Sequence, residues 1–68
     1  MTSYAYKIRI RDGHLPLFVQ GEHWITSTSA AGARKALALR FRRPMSEESK
    51  KMYSISRLTG AMKIIEKK

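Results

Sequence analysis

The chain has 68 residues, of which 14 are Lys or Arg and five are Asp or Glu, so its formal net charge is +9. A chain of this length supports one small domain, and the lack of cysteine excludes disulfides and thiolate metal sites. No apolar run approaches the roughly 20 residues needed to cross a bilayer. We therefore expect a single domain spanning residues 1–68, located in the cytoplasm and without a membrane partner.

Residues 4–11 alternate between apolar and basic side chains, which is typical of a half-buried strand. The apolar face consists of Tyr4, Tyr6, Ile8 and Ile10. The basic face consists of Lys7, Arg9 and Arg11. Asp12 and Gly13 predict a turn, after which Leu15–Gln20 is apolar and strand-like. Glu22–Thr26 resumes the pattern, so we expect one long strand bent at a bulge near Gly21, or two short strands.

The segment that organises the chain is Thr26–Arg43, which has the composition and periodicity of a helix. Three consecutive side-chain oxygens, from residues 27–29, can cap its first turn, and Pro44 ends it. At 100° per residue, its apolar stripe consists of Ala30, Ala33, Leu37 and Phe41. Lys35 and Arg42 lie on the opposite side, so the predicted helix has one core face and one basic face.

After Pro44 we predict a loop with one helical turn at Ser46–Lys50, capped by Ser46. Met52–Leu58 is rich in β-forming residues, and Thr59-Gly60 fits a hairpin turn into a last strand, Ala61–Glu66. The predicted fold is therefore α+β: a small antiparallel sheet in β-β-α-β-β order, with one helix packed across one face. The predicted core consists of Tyr6, Ile8, Ile10, Leu17, Val19, Ile25, Leu37, Phe41, Ile55 and Ile64.

The sequence contains no recognisable catalytic or metal-binding constellation. His14 and His23 are nine residues apart and have no adjacent carboxylate to complete a metal site. Glu47 and Glu48 are the only neighbouring acids, on a predicted solvated loop, and no nucleophile elbow or phosphate-binding glycine loop is present. We expect a binding protein that is not an enzyme and that needs no cofactor and no metal.

The excess of positive charge predicts a polyanionic partner, and nucleic acid, DNA or RNA, is the first candidate. Alternate strand residues lie about 6.5–7 Å apart, a spacing that suits successive phosphates. The predicted nucleic-acid-binding residues are cations of the first strand, the helix and the C-terminal segment: Lys7, Arg9, Arg11, Arg34, Lys35, Arg40, Arg42, Arg43, Arg57 and Lys63. The competing interpretation is a solvated surface, in which the helix-end arginines only complement the helix dipole.

Two further functions use the same charge. The main alternative is a phage- or mobile-element-encoded interaction module or inhibitor that docks on an acidic surface of a nucleic-acid-processing partner, and the other is a structural ribonucleoprotein component. Aromatic side chains exposed within a basic surface favour nucleic acid, whereas an exposed apolar patch favours a protein partner. Trp24 is predicted to pack partly in the core, and an open sheet edge permits a homodimer.

Overall fold

The computed structural model describes residues 2–68 and has an α+β architecture, with a three-stranded antiparallel sheet and helices. The strands are β1 (Tyr4–Ile10), β2 (Gly21–Ser27) and β3 (Met62–Lys67), in the spatial order β2-β1-β3. The helices are α1 (Ala30–Arg42), α2 (Glu47–Met52) and α3 (Ile55–Gly60), and a 3-10 turn at Leu17–Val19 precedes β2. Within residues 2–68, no helix has both the length and the apolar character needed to cross a membrane.

The central strand, β1, confirms the alternation predicted for residues 4–11. Tyr6, Ile8 and Ile10 are buried on the side where α1 packs, and the intervening Lys7 and Arg9 lie on the opposite face. β2 and β3 pair with the two edges of β1, and the β3 pairing shifts by one residue at a bulge opposite Lys7 and Ile8. Because directly opposed residues share a face, this register determines the composition of both faces of the sheet.

The segment predicted as a strand at Leu15–Gln20 is instead a loop that ends in the 3-10 turn. The side-chain amide of Gln20 closes this loop: it donates to the carbonyl oxygens of Asp12 and Leu15 and accepts from the Asp12 N–H at 3.2 Å. A side chain that engages these backbone groups competes with strand pairing, so no strand forms here. One strand follows, beginning at Gly21, whose φ of 96° favours glycine.

The predicted helix exists, but it is shorter than Thr26–Arg43. It begins at Ala30, because Thr26 and Ser27 continue β2 and the chain turns only after them. Ser29 is the residue that caps it, and its Oγ accepts the Gly32 N–H at 3.0 Å. The predicted apolar stripe is confirmed, because Ala33, Leu37 and Phe41 are buried and Ala30 packs against the core.

The region after Pro44 is helical over more residues than predicted. Ser46 caps α2 as expected, since its Oγ accepts the Ser49 N–H at 3.2 Å, and the helix continues as far as Met52. The strand predicted at Met52–Leu58 is wrong, because Ser54 accepts the Arg57 N–H at 3.2 Å and begins α3.

The spacing of two apolar residues explains why this segment forms a helix and not a strand. In a strand, Ile55 and Leu58 would point to opposite faces, whereas on a helix they share the face that packs on α1 and the core. Thr59 and Gly60 form the last turn of α3 and are not a hairpin turn. The predicted β-β-α-β-β order is therefore replaced by β-β-α-α-α-β, with β3 as the last strand.

The core lies between α1 and the sheet. The prediction is confirmed at Tyr6, Ile8, Ile10, Val19, Ile25, Leu37 and Phe41, which are buried. Ile55 and Ile64 are partly buried and pack against this cluster. The prediction that Leu17 belongs to the core is wrong. Leu17 is 88% exposed, because the 3-10 turn directs it outward while Val19 is held in the core. The sequence pattern did not single out four other buried residues, namely Leu15, Ala38, Leu58 and Met62.

Candidate nucleic-acid interface

The face of the sheet opposite α1 is rich in cations, and we call it the open sheet face. The strand pairing places nine side chains there: Ala5, Lys7, Arg9, Glu22, Trp24, Thr26, Lys63, Glu66 and Lys68. Arg11, which follows the end of β1, joins them because it lines one depression with Arg9 and Lys63. Its cations are Lys7, Arg9, Arg11, Lys63 and Lys68, and its carboxylates are Glu22 and Glu66. The face therefore carries a net positive charge around the central strand of the sheet.

One carboxylate organises the middle of this face. Glu22 lies opposite Arg9 in the register, and its Oε2 accepts from Arg9 Nη2 at 2.8 Å and from Arg9 Nε at 3.1 Å. Its Oε1 lies 3.0 Å from Lys7 Nζ. The hydrogen bonds from Arg9 and then Lys7 hold the pKa of the Glu22 carboxyl below its ordinary value of 4.5.

This arrangement gives a testable pH dependence. Because the folded state lowers the pKa of Glu22, its ion pairs stabilise the protein above pH 4.5, and that stabilisation disappears as the pH falls through the lowered pKa. Glu22→Gln is therefore expected to melt at a slightly lower temperature than the wild type at neutral pH, and at the same temperature near about pH 2. Thermal melts at the two pH values provide the measurement. Glu66→Gln, which removes an acid without an ion pair from the same face, is the control and is expected to change little.

The prediction that Trp24 belongs partly to the core is wrong. Its neighbours His23 and Ile25 point toward α1, so strand alternation places the indole on the open sheet face, where the residue is 41% exposed. Lys7 Nζ lies 5.7 Å and Lys68 Nζ 5.1 Å from the centroid of the indole. Two ammonium groups thus lie near one aromatic ring, within the range of cation–π attraction.

A second group of cations surrounds a shallow depression at the other end of the same face. Arg9, Arg11 and Lys63 line it together with Ala61, and its volume is about 210 Å³. No carboxylate lines this depression, and Arg11 and Lys63 form no salt bridge within residues 2–68. A guanidinium and an ammonium group without an acid partner, as at Arg11 and Lys63, suit a phosphate oxygen.

The ten predicted site residues divide between two surfaces. The structure brings Lys7, Arg9, Arg11 and Lys63 together on the open sheet face. The remaining six lie in the helical layer on the other side of the sheet: Arg34, Lys35, Arg40, Arg42, Arg43 and Arg57. Of these, Arg42 has a structural contact, because its Nη2 donates to the Lys50 carbonyl oxygen at 3.2 Å. The two groups do not form one continuous site.

The members of the open sheet face that the sequence interpretation missed include Glu22, Trp24 and Lys68. The sequence did contain a signal for Glu22 and Trp24. They alternate with the buried or half-buried positions of β2, which indicates that they lie on the opposite face of the sheet. Lys68 had no such signal, because it joins the face through backbone hydrogen bonds of 2.8 Å with Ala5, a long-range pairing.

The ring of His23 has structural contacts. His23 Nε2 lies 3.0 Å from the Val19 oxygen and 3.2 Å from the Gln20 oxygen, so it carries a proton and donates to these acceptors. Its ring packs edge-on against Phe41 at 4.9 Å between centroids. Among the described residues, no cluster of three or more His, Asp or Glu side chains is arranged to hold a metal.

Comparisons with known proteins leave the function to be inferred from the chain itself. No protein family matches the sequence, and neither the curated proteins nor the solved structures show a significant match to it. The features that indicate a function are therefore the charge, the exposed aromatic ring and the shape of the two faces. The open sheet face combines the first two of these features.

Proposed function

We propose that this protein is a small non-enzymatic nucleic-acid-binding protein that contacts its ligand through the open sheet face. The observation that carries the proposal is the exposed Trp24, with the ammonium groups of Lys7 and Lys68 nearby, on a sheet face with a net positive charge. Proteins that bind unpaired strands combine these two elements, because bases stack on aromatic rings and phosphates are neutralised by cations. The proposed binding requires no cofactor and no metal.

The cations of β1 and β3 supply the phosphate contacts. Lys7 and Arg9 occupy alternate positions of β1, about 6.5–7 Å apart, and Arg11 continues this alternation just after the strand ends. Arg11 and Lys63 are free of ion pairs within residues 2–68, so a phosphate can bind them without displacing a carboxylate. Arg9 is engaged by Glu22, and a phosphate that binds it must compete with that acid.

The position of Trp24 favours unpaired strands over a duplex. The indole lies on a flat sheet face, and only a base that is free of its own stack can lie against it. In a duplex the base faces are covered by their neighbours, and the protein would reach only the phosphates. The proposal therefore covers single-stranded DNA or RNA, with little discrimination of sequence.

The test is a titration of Trp24 fluorescence with a short oligothymidine at several salt concentrations. We expect strong quenching and a slope of log K against log salt of about −3, since each neutralised phosphate contributes about −0.7 on single strands. The variant Lys7→Gln/Arg9→Gln/Arg11→Gln is expected to flatten that slope by about 2 units while keeping the fold, because all three side chains lie on the open sheet face.

A matched control separates this face from the overall charge. Lys35→Gln/Arg40→Gln/Arg43→Gln removes the same charge from exposed positions in the helical layer and is expected to leave the slope nearly unchanged. Equal losses in the two triple variants would mean that binding follows net charge and not the open sheet face. Absence of quenching in the wild type would contradict the role of Trp24.

A further inference from the structure

A second surface, at the C-terminal end of α1, exposes large apolar side chains. Leu17 is 88% exposed, Met52 62% and Phe18 52%. Phe18 and Met52 take part in lining a groove of about 570 Å³, which we call the apolar groove. Its apolar lining consists of Pro16, Phe18, Pro44, Met45, Met52 and Tyr53. The volume lies within the range of about 300–1,000 Å³ that is typical of ligand sites.

These exposed apolar side chains form a cluster and are not scattered over the surface. The large hydrophobic residues that remain exposed are Leu17, Phe18, Trp24, Leu39 and Met52. Trp24 belongs to the open sheet face. Phe18 and Met52 line the apolar groove, Leu39 lines a neighbouring cleft, and Leu17 lies between the groove residues Pro16 and Phe18 in the sequence. Single exposed apolar residues are common in proteins, but a contiguous patch with a concave centre marks an interaction site.

The loop that presents Leu17 and Phe18 is held rigidly. Val19, the next residue, is fully buried, and its carbonyl oxygen accepts from His23 Nε2 at 3.0 Å. The Gln20 amide closes the loop from the other side, and the ring of Phe18 packs edge-on against Phe41 at 6.1 Å between centroids. The exposed apolar groups are therefore presented in a fixed position, which reduces the entropy lost when a partner binds.

The charge beside the groove determines the kind of partner it fits. A cleft of about 330 Å³ is lined by Leu39, Arg42, Arg43 and Lys50. It is next to the groove along the chain, because Arg43 directly precedes Pro44 and Lys50 directly follows Ser49 of the groove. An acidic side chain placed in this cleft would meet Arg42 and Arg43, and Lys50, whose Nζ lies 3.5 Å from Glu47 Oε1. A second copy of the chain is a poor occupant, because each copy carries a net charge of +9 and the two would repel each other.

We propose that the apolar groove binds a short segment of an acidic protein partner, whose apolar side chain fills the groove while a neighbouring Asp or Glu pairs with Arg43 in the adjoining cleft. This inference goes beyond the proposed nucleic-acid function and does not depend on it, since the groove and the open sheet face share no residue. The protein would then hold an unpaired strand on one surface and a protein partner on another.

The experiment is a selection of displayed random short peptides on the full chain, followed by anisotropy titrations of the enriched peptides. We expect the enriched peptides to contain an aromatic or large aliphatic residue with an Asp or Glu close to it. Their affinity is expected to fall about tenfold or more for Met52→Ser and for Arg43→Glu, both at exposed positions where folding is little affected. The variant Lys7→Gln/Arg9→Gln/Arg11→Gln is expected to bind the peptides as well as the wild type does.

Oligothymidine titrations of the same variants keep the two proposals apart. Met52→Ser is expected to bind oligothymidine as the wild type does, so a failure of the peptide experiment leaves the nucleic-acid proposal standing, and the reverse also holds.

Enriched peptides without acidic residues, or peptides insensitive to Met52→Ser and Arg43→Glu, would overturn the groove proposal. Sedimentation of the wild type as a dimer that Met52→Ser dissociates would assign the groove to a second copy and overturn it. Binding to phosphatidylglycerol vesicles that Met52→Ser abolishes, without peptide enrichment, would assign it to a membrane and also overturn it.

Discussion

Phe41→Ala is expected to lower the free energy of unfolding by about 3–5 kcal/mol. The Phe41 side chain is only 6% exposed and touches both the strand layer and the loop before β2, through His23 at 4.9 Å and Phe18 at 6.1 Å between ring centroids. Its truncation therefore leaves a cavity where α1, β2 and the loop meet. Since small domains are stable by only about 5–15 kcal/mol, this single change is expected to remove much of the total stability in a urea melt.

Leu39→Ala is the matched control on the same helix. Leu39 is 46% exposed, and its truncation is expected to change the free energy of unfolding by less than about 1 kcal/mol. Equal losses of unfolding free energy in the two variants would contradict the assignment of the α1 face that packs on the sheet. The comparison uses two large apolar residues separated by two positions, so it tests the helical phase directly.

The second large effect is expected at Leu58, in the segment where a strand was predicted. Leu58 is fully buried, and it belongs to α3, which packs against α1. Leu58→Ala is expected to cost about 2–5 kcal/mol in urea unfolding, because the methyl groups it removes leave an empty space in a core with few residues. The loss would show that α3 contributes to the core and is not a peripheral turn.

Met52→Ala serves as the control for Leu58. Met52 is the last residue of α2 and is 62% exposed, so its truncation is expected to change stability by less than about 1 kcal/mol. A strand over 52–58 would place these two residues, six positions apart, on the same face and would give them similar effects. Equal losses for the two variants would therefore favour a strand and contradict α3.

The parts of the fold that followed from the sequence are those fixed by local spacing. The period of two in residues 4–11 predicted both faces of β1, and the period of 3.6 predicted the buried stripe of α1. Ser46 was recognised as a cap because a capping side chain acts on an N–H only three residues away. Each of these signals involves residues that are close together in the chain.

The parts that did not follow depend on contacts between distant residues. Leu15–Gln20 has strand-like composition, but the Gln20 side chain engages Asp12 eight residues earlier and closes a loop. The β-forming residues of Met52–Leu58 are helical because Leu58 finds a buried position against α1. Propensity is a weak preference, and tertiary burial of one large side chain outweighs it.

The same division applies to the candidate site. The sequence by itself determined the net charge of +9 and the basic face of β1, since the first is a sum over residues and the second follows from alternation. It could not determine that Lys63 and Lys68 join this face while the arginines of α1 lie on the other side. That assignment depends on the pairing of β1 with β3 and on the face that α1 covers, both of which arise only when the chain folds. The position of Trp24 near two lysines was decided in the same way, because it requires the register of three strands.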